Sequence, residues 1–135
     1  MSSSTAPIER PRISACIITF NEADRIADCL ASLDFCDELI VVDSFSSDDT
    51  VAIAQAAGAS VHQRAFTGFR NQKDFAVAQA SHDWVLCLDA DERISAPLRS
   101  ALLAARDGGF AGHAGYRFAR LSEYFGQFLR HGNAY

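Results

Sequence analysis

Short runs of continuous apolar residues alternate along this chain with segments in which apolar residues recur every three or four positions. The runs at 13–20, 38–43 and 83–89 are typical of strands in a sheet that is covered on both faces. The segment at 22–33 has the period of an amphipathic helix. This alternation predicts an α/β fold with a doubly wound, mostly parallel sheet flanked by helices.

The middle of the chain continues the same alternation. Ser46 or Ser47 is expected to cap a second helix that ends at Gly58, because serine is a favoured N-cap and glycine a favoured C-terminal residue. Residues 60–65 are predicted to form a weaker third strand, and a third helix is expected to follow Gly68.

A fourth helix is predicted after the 83–89 strand. Ser95 is its expected N-cap, Pro97 lies in its first turn, and Gly108 with Gly109 ends it. Residues 115–135 alternate apolar and polar side chains and predict a hairpin or an irregular lobe.

The chain of 135 residues is long enough for one compact core and too short for two ordinary domains. Residues 1–12 are rich in serine and contain two prolines, which predicts a disordered leader. The domain is expected to cover 13–135. The start has no secretory signal and no segment approaches the roughly 20 apolar residues of a membrane helix. These features predict a cytoplasmic protein that would meet a membrane only peripherally.

Charge and cysteine spacing exclude several classes of protein. Seventeen acidic and twelve basic residues give a net charge of −5, and the basic residues are scattered, so no nucleic-acid partner is expected. The four cysteines form no CxxC pair, which argues against a zinc finger or a thioredoxin-like redox site.

Polar side chains gather where three of the predicted strands end, which in a doubly wound sheet is the ligand-binding edge. They are Thr19, Asn21 and Glu22 after the first strand, Asp43 after the second, and Asp89, Asp91 and Glu92 after the fourth. By strand alternation Asp89 and Asp91 should converge, while Glu92 points the other way. Two adjacent carboxylates favour a bound Mg²⁺ or Mn²⁺; the alternative is that these acids are solvated or cap the next helix.

Four motifs in order resemble the family 2 inverting glycosyltransferases with the GT-A fold. The motifs are TFNE at 19–22, VVDSFSSDDT at 41–50, GFRNQKDFA at 68–76 and DWVLCLDADERIS at 83–95. The resemblance covers about 13–132, and it is closest to bacterial enzymes similar to lipopolysaccharide core β-glucosyltransferases. Neither a Gly-rich phosphate loop after the first strand nor a GxGxxG motif occurs, which disfavours nucleotidyltransferases and NAD-binding folds.

This resemblance implies a nucleotide-diphosphate sugar donor, most often a UDP-sugar, and a Mg²⁺ or Mn²⁺ ion. The acceptor would be a glycan or a lipid-linked glycan in lipopolysaccharide or cell-surface glycan synthesis, which would bring the enzyme to the inner membrane peripherally. Transfer would invert the anomeric configuration in a single displacement.

The resemblance also implies roles for individual residues. Asp43 would bind the uracil ring, and Thr19 with Glu22 would line the pocket for base and ribose. Asp89 would face the ribose or the metal, and Asp91 would coordinate the metal. The nucleotide site would further include Gln72, Lys73 and Asn21, of which Lys73 is alternatively a solvated helix residue and Asn21 a turn former.

Two substitutions depart from the motifs of the family. Phe45 stands where relatives commonly have glycine, which puts the local turn in doubt because a positive φ is costly for phenylalanine. Asp74 stands where they have asparagine, and it adds an acid near the expected diphosphate.

No residue fits the position of the general base. His113, His131 and Glu123 are titratable, but each is better explained as an ordinary surface residue. We therefore expect 13–135 to be the donor-binding part of a longer enzyme whose acceptor part is missing, so that this chain binds nucleotide weakly and transfers sugar poorly. The alternative is a truncated, non-catalytic remnant that retains only nucleotide-sugar binding.

Overall fold

The computed structural model describes residues 11–110, 115–117 and 127–130. Most of the predicted leader at 1–12 lies outside these residues. The elements in chain order are β1 (Ile13–Thr19), α1 (Ile26–Ala31), β2 (Glu38–Asp43), α2 (Thr50–Ala56), β3 (Ser60–Gln63), α3 (Phe69–Ala78), β4 (Trp84–Asp89), α4 (Ala96–Asp107), β5 (Gly115–Arg117) and β6 (Gln127–Arg130).

These strands form one sheet in the order β3-β2-β1-β4-β6-β5. The first four strands along the chain are mutually parallel, whereas β6 pairs antiparallel with β4 and with β5. The predicted doubly wound, mostly parallel α/β fold is therefore confirmed. The register pairs Thr19 with Asp43 and Ile18 with Asp89, so the carboxyl ends of β1, β2 and β4 lie at one edge of the sheet.

Two apolar clusters cover the two faces of this sheet, because side chains along a strand alternate between faces. One face packs Ile17 and Leu86 against α1 and α4, and the other packs Ile18 against α3. Burial on both faces explains why β1 and β4 are continuous apolar runs and not alternating ones.

The first two helices are shorter than predicted. The helix expected at 22–33 covers only Ile26–Ala31, because a turn precedes it in which Arg25 and Ile26 both donate their N–H to the carbonyl of Glu22, at 3.0 and 2.9 Å. The expected caps Ser46 and Ser47 are wrong as well. The N-cap of α2 is Asp49, because Ser46 Oγ bonds Asp43 and Asn21, and Ser47 donates its N–H to Asn21.

The prediction for the last helix is confirmed, and β5 and β6 form an antiparallel pair, as the hairpin alternative for 115–135 predicts. Ser95 Oγ accepts the N–H of Leu98 at 3.3 Å as the N-cap of α4, and the helix ends at Gly108, followed by Gly109 at φ 72°. None of the helices in residues 11–110 has the length and apolarity needed to cross a membrane.

Candidate functional site

A pocket of about 320 Å³ lies at the edge of the sheet where β1, β2 and β4 end. This volume is at the lower end of the range of small-molecule sites, which is about 300–1,000 Å³. The residues that line it are Ile18, Thr19, Phe20, Glu22, Ser44, Phe66, Phe69, Gln72, Asp89, Ala90 and Asp91. Five of the residues predicted for the site are among them: Thr19, Glu22, Gln72, Asp89 and Asp91.

Asp89 and Asp91 meet at the pocket through a turn and not through a continued strand. β4 ends at Asp89, and the N–H of Glu92 donates to the carbonyl of Asp89 at 2.9 Å, which closes the turn. The side chain of Glu92 folds back, and its Oε1 accepts the N–H of Asp89 at 2.8 Å. Glu92 does not line the pocket, and this contact with the Asp89 backbone, not strand alternation, sets the position of its side chain.

The negative charges of the acidic side chains around this turn repel one another. Burial, and then the charge of Asp91, raise the pKa of Asp89, and the same two causes in the same order raise the pKa of Glu22. Burial also raises the pKa of Glu92. A divalent cation among these carboxylates would compensate the repulsion.

The described residues contain no group of three or more His, Cys, Asp or Glu side chains arranged to hold a metal ion. The candidate cation site therefore consists of two carboxylates, those of Asp89 and Asp91, on the wall of an open pocket. This donor set fits Mg²⁺ or Mn²⁺, because such ions are commonly held by one or two carboxylates together with phosphate oxygens of the substrate.

Two basic side chains lie close to the acids. Arg25 approaches Asp91 with 3.9 Å between Nη1 and Oδ2, in an ion pair whose partners are 64% and 46% exposed and which is therefore weak. Lys73 does not line the pocket, but its positive charge lowers the pKa of Asp89 and so offsets part of the effect of burial. Lys73 is thus close enough to influence the acids without contacting the pocket itself.

Asp43 is fully buried and does not line the pocket. Its Oδ1 accepts the Ser46 hydroxyl at 2.5 Å, and its Oδ2 accepts the Ser46 N–H at 2.8 Å and the Gln63 amide at 3.3 Å. The carboxylate thereby holds the loop after β2 in place.

Asn21 links two loops and also lies outside the pocket lining. Its N–H donates to Ser46 Oγ at 2.8 Å, and its Oδ1 accepts the N–H of Ser47 at 2.8 Å. Its φ of 51° is the left-handed conformation that asparagine tolerates better than most residues. These contacts are those expected for the alternative interpretation of Asn21 as a turn former.

Thr19 and Gln72 lie deep at the pocket. Thr19 is 6% exposed and Gln72 is fully buried. Gln72 Nε2 donates to Ser44 Oγ at 3.0 Å and to the carbonyl of Arg64 at 3.2 Å, which ties α3 to the loops after β2 and β3.

Sequence reasoning did not identify the aromatic residues of the pocket. Phe20, Phe66 and Phe69 are 57%, 49% and 70% exposed, and the last two rings meet edge to face with centroids 5.0 Å apart. Only Phe66 gave a usable signal, because it lies in the loop between β3 and α3, where no helical or strand period accounts for a large apolar side chain.

Phe45 adopts the turn that the sequence put in doubt. Its φ is 61° and its side chain is 57% exposed. A left-handed conformation costs a residue with a Cβ about 1–2 kcal/mol, so this position stores strain beside the pocket residue Ser44.

We expect Phe45→Gly to be about 1 kcal/mol more stable than Phe45→Ala, because glycine removes the strain and loses only part of that gain to its flexible unfolded state. Both variants remove the same ring, so Phe45→Ala is the matched control. The measurement is the free energy of unfolding by urea. Equal stability of the two variants, or a more stable alanine variant, would contradict the strain.

The three residues considered as a general base, His113, His131 and Glu123, lie outside the described residues. The structure therefore does not test whether any of these three residues is the general base.

Comparison with known proteins supports one family. The family model for glycosyl transferase family 2 matches residues 14–131. An uncharacterized glycosyltransferase of Rickettsia felis is 49% identical over 92 residues, which are 67% of this chain and 32% of that protein. The lipopolysaccharide core biosynthesis glycosyltransferase LpsC of Rhizobium meliloti is 40% identical over 103 residues, covering 70% of this chain and 38% of LpsC. The chain thus spans about a third of the length of these relatives.

Solved structures agree with the fold. Glucosyl-3-phosphoglycerate synthase from Mycobacterium tuberculosis in complex with UDP is similar with a TM-score of 0.64 and 27% identity, covering 82% of this chain and 46% of that one. The same synthase in complex with Mn²⁺, UDP-glucose and phosphoglyceric acid is similar with a TM-score of 0.54 and 28% identity, covering 62% of this chain and 35% of that one.

Proposed function

The chain belongs to glycosyl transferase family 2, and we propose that it forms the donor-binding part of an inverting enzyme that transfers a sugar from a UDP-sugar. The observation that carries this proposal is the pocket at the carboxyl edge of β1, β2 and β4, in which Thr19, Glu22, Asp89 and Asp91 meet. In open α/β sheets this edge is where ligands bind.

Each wall of the pocket suits one part of such a donor. The exposed rings of Phe20, Phe66 and Phe69 offer apolar faces on which a base or a sugar can stack. Asp89 and Asp91 would hold Mg²⁺ or Mn²⁺ beside the diphosphate. The complex of the mycobacterial synthase with Mn²⁺ and UDP-glucose supports a donor and an ion of these kinds.

When bound, the ion supplies Lewis-acid stabilisation of the charge that grows on the departing diphosphate. Asp89 and Asp91 would hold the ion at the end of β4, and Gln72 ties α3 to the wall formed by Ser44. The attacking acceptor hydroxyl would need a general base, which the described residues do not assign.

The acceptor is the less supported half of the proposal. Similarity to LpsC favours a glycan or a lipid-linked glycan of lipopolysaccharide or another cell-surface polymer. A lipid-linked acceptor would bring the enzyme to the inner membrane as a peripheral protein. We also propose a cytoplasmic location, since none of the four cysteines, all within the described residues, forms a disulfide, as is usual in the reducing cytoplasm.

Titration of UDP into the 135-residue chain by calorimetry, with and without Mn²⁺, tests the proposal. We expect binding that Mn²⁺ strengthens at least about tenfold, because the ion links the diphosphate to the two carboxylates. Absence of UDP binding in both conditions would contradict the proposal.

A further inference from the structure

A short segment at the pocket combines positive charge with exposed aromatic rings. Residues 64–73, named here the basic aromatic segment, have the sequence RAFTGFRNQK and contain Arg64, Arg70 and Lys73 but no acid. No other window of ten residues in the chain holds three Lys or Arg residues, and the whole chain carries a net charge of −5. The segment is therefore a local concentration of positive charge on an acidic protein.

Both aromatic side chains of the basic aromatic segment face solvent. Phe69 is 70% exposed, more than any other large hydrophobic side chain that the structure describes, and Phe66 is 49% exposed. Because the two rings are in edge-to-face contact, they form one continuous apolar surface. Exposed apolar surfaces with a polar rim are typical of sites that bind a partner or a membrane.

The positive charges lie beside these rings. Arg70 follows Phe69 at the start of α3, and its side chain is 84% exposed. Its ion pair with Asp74 joins two exposed groups at 3.9 Å and is therefore weak, so the guanidinium can turn to another anion. Lys73 lies three positions after Arg70 and so on the same side of the helix.

The loop before α3 is fixed to the helix. Arg64 Nη1 donates to the carbonyl of Asn71 at 3.0 Å, and its guanidinium lies 4.9 Å from the centre of the Phe75 ring. The two ends of the segment are thereby held together, so the rings and the basic groups belong to one surface.

We propose that the basic aromatic segment docks on the surface of an anionic lipid bilayer, with Phe66 and Phe69 among the headgroups and the basic side chains at the lipid phosphates. The charge favours this occupant, because a purely apolar partner would leave three cations without counter-ions. Basic residues beside exposed Phe side chains are the composition of segments that bind membranes at the interface.

This inference rests on the proposed function and identifies the surface that would meet the membrane. Phe66 and Phe69 also line the pocket. Docking through their outer faces would therefore bring the mouth of the pocket to the headgroup layer. A lipid-linked acceptor carries its sugar at this layer, so the acceptor would reach the donor without leaving the bilayer.

Sedimentation of the 135-residue chain with lipid vesicles tests the inference. One set of vesicles contains phosphatidylglycerol and phosphatidylethanolamine, and the other contains phosphatidylcholine alone. Wild type should bind the anionic vesicles at least about tenfold more tightly, and added salt should weaken this binding. The buffer contains no divalent ion, since such an ion could bridge the acids of the chain to lipid phosphates.

Arg70→Glu should weaken binding to the anionic vesicles about 10- to 30-fold, because the reversal changes two units of charge at the surface. The matched control is Arg99→Glu, which changes the net charge equally. Arg99 also pairs with an exposed acid, Asp34, but it lies on α4, which covers the opposite face of the sheet. It should bind within about threefold of wild type.

The contribution of the rings is tested at Phe69. Phe69→Ser should lower the affinity for anionic vesicles about tenfold, because an exposed aromatic side chain can no longer be buried among the headgroups. Phe69→Trp should bind at least as tightly as wild type, since Trp is favoured at membrane interfaces. Circular dichroism checks that each variant is folded.

Three results would overturn the inference. They are absence of vesicle binding by wild type, equal binding to anionic and neutral vesicles, and equal losses in Arg70→Glu and Arg99→Glu. The last result would show that only net charge matters.

Calorimetry with UDP separates this inference from the proposed function. Arg70 does not line the pocket, so Arg70→Glu should bind UDP as wild type does. A chain that binds UDP but no vesicles would overturn the docking surface alone. A chain that binds vesicles with the expected pattern but no UDP would keep the docking surface and overturn the proposed function.

Discussion

Replacing Asp91 by asparagine should remove the effect of Mn²⁺ on UDP binding. Asp91 and Asp89 are the two carboxylates that follow β4 into the pocket, and they repel each other enough that Asp91 raises the pKa of Asp89. Losing a group that merely orients a metal ligand costs about 10- to 100-fold in metal affinity, so losing a ligand itself should cost at least ~100-fold. The measurement is UDP affinity by calorimetry over a series of Mn²⁺ concentrations.

Asp49→Asn is the matched control for this variant. Asp49 is also exposed, but it lies outside the pocket lining and its side chain forms no cap hydrogen bond, so it should titrate as wild type does. The substitution at Asp91 also breaks the ion pair with Arg25, which is exposed and contributes little. An Asp91→Asn chain whose UDP affinity still rises with Mn²⁺ as in wild type would refute the metal assignment.

Replacing Asp43 by alanine should lower the free energy of unfolding by about 3 kcal/mol, because hydrogen bonds to a charged group contribute about 1.5–3 kcal/mol each and relief of the buried charge offsets only part of the loss. Ser46 N–H, Ser46 Oγ and the Gln63 amide would all lose their acceptor. The loop after β2 should loosen with them. Urea denaturation followed by circular dichroism measures the change.

Asp49→Ala provides the comparison for Asp43→Ala, since it removes an exposed acid from the same loop. Its stability should stay within about 0.5 kcal/mol of wild type. If Asp43→Ala were as stable as Asp49→Ala, the network around Asp43 would not stabilise the fold.

The succession of strands and helices could be predicted from the sequence because its causes are local or repetitive. β1 and β4 are buried on both faces and therefore carry continuous apolar runs, and α4 begins where a serine hydroxyl accepts an N–H three residues later. The gathering of acids at one sheet edge was predictable too, because it follows from parallel strand order.

The geometry within the loops could not be predicted in the same way. Ser46 looked like a helix cap, yet its hydroxyl bonds Asp43 and accepts from Asn21, which is 25 positions away along the chain. The turn after Asp89 depends on a side chain that folds back onto the backbone, and strand alternation gives no indication of it. Several possible partners compete for each of these hydrogen bonds. The sequence shows which residues could compete, but not the distances between them in the folded chain.

The sequence by itself determined the order of the elements, the family motifs and the residue types that reach the ligand edge of the sheet. Only the tertiary structure decided that Asp43 is enclosed by Ser46 and Gln63, while Gln72 Oε1 and Thr19 Oγ1 remain without partners at the pocket. The physical reason is that burial and hydrogen-bond satisfaction depend on residues distant in the chain. Gln72 meets the carbonyl of Arg64 and the hydroxyl of Ser44 only when α3 packs against the sheet.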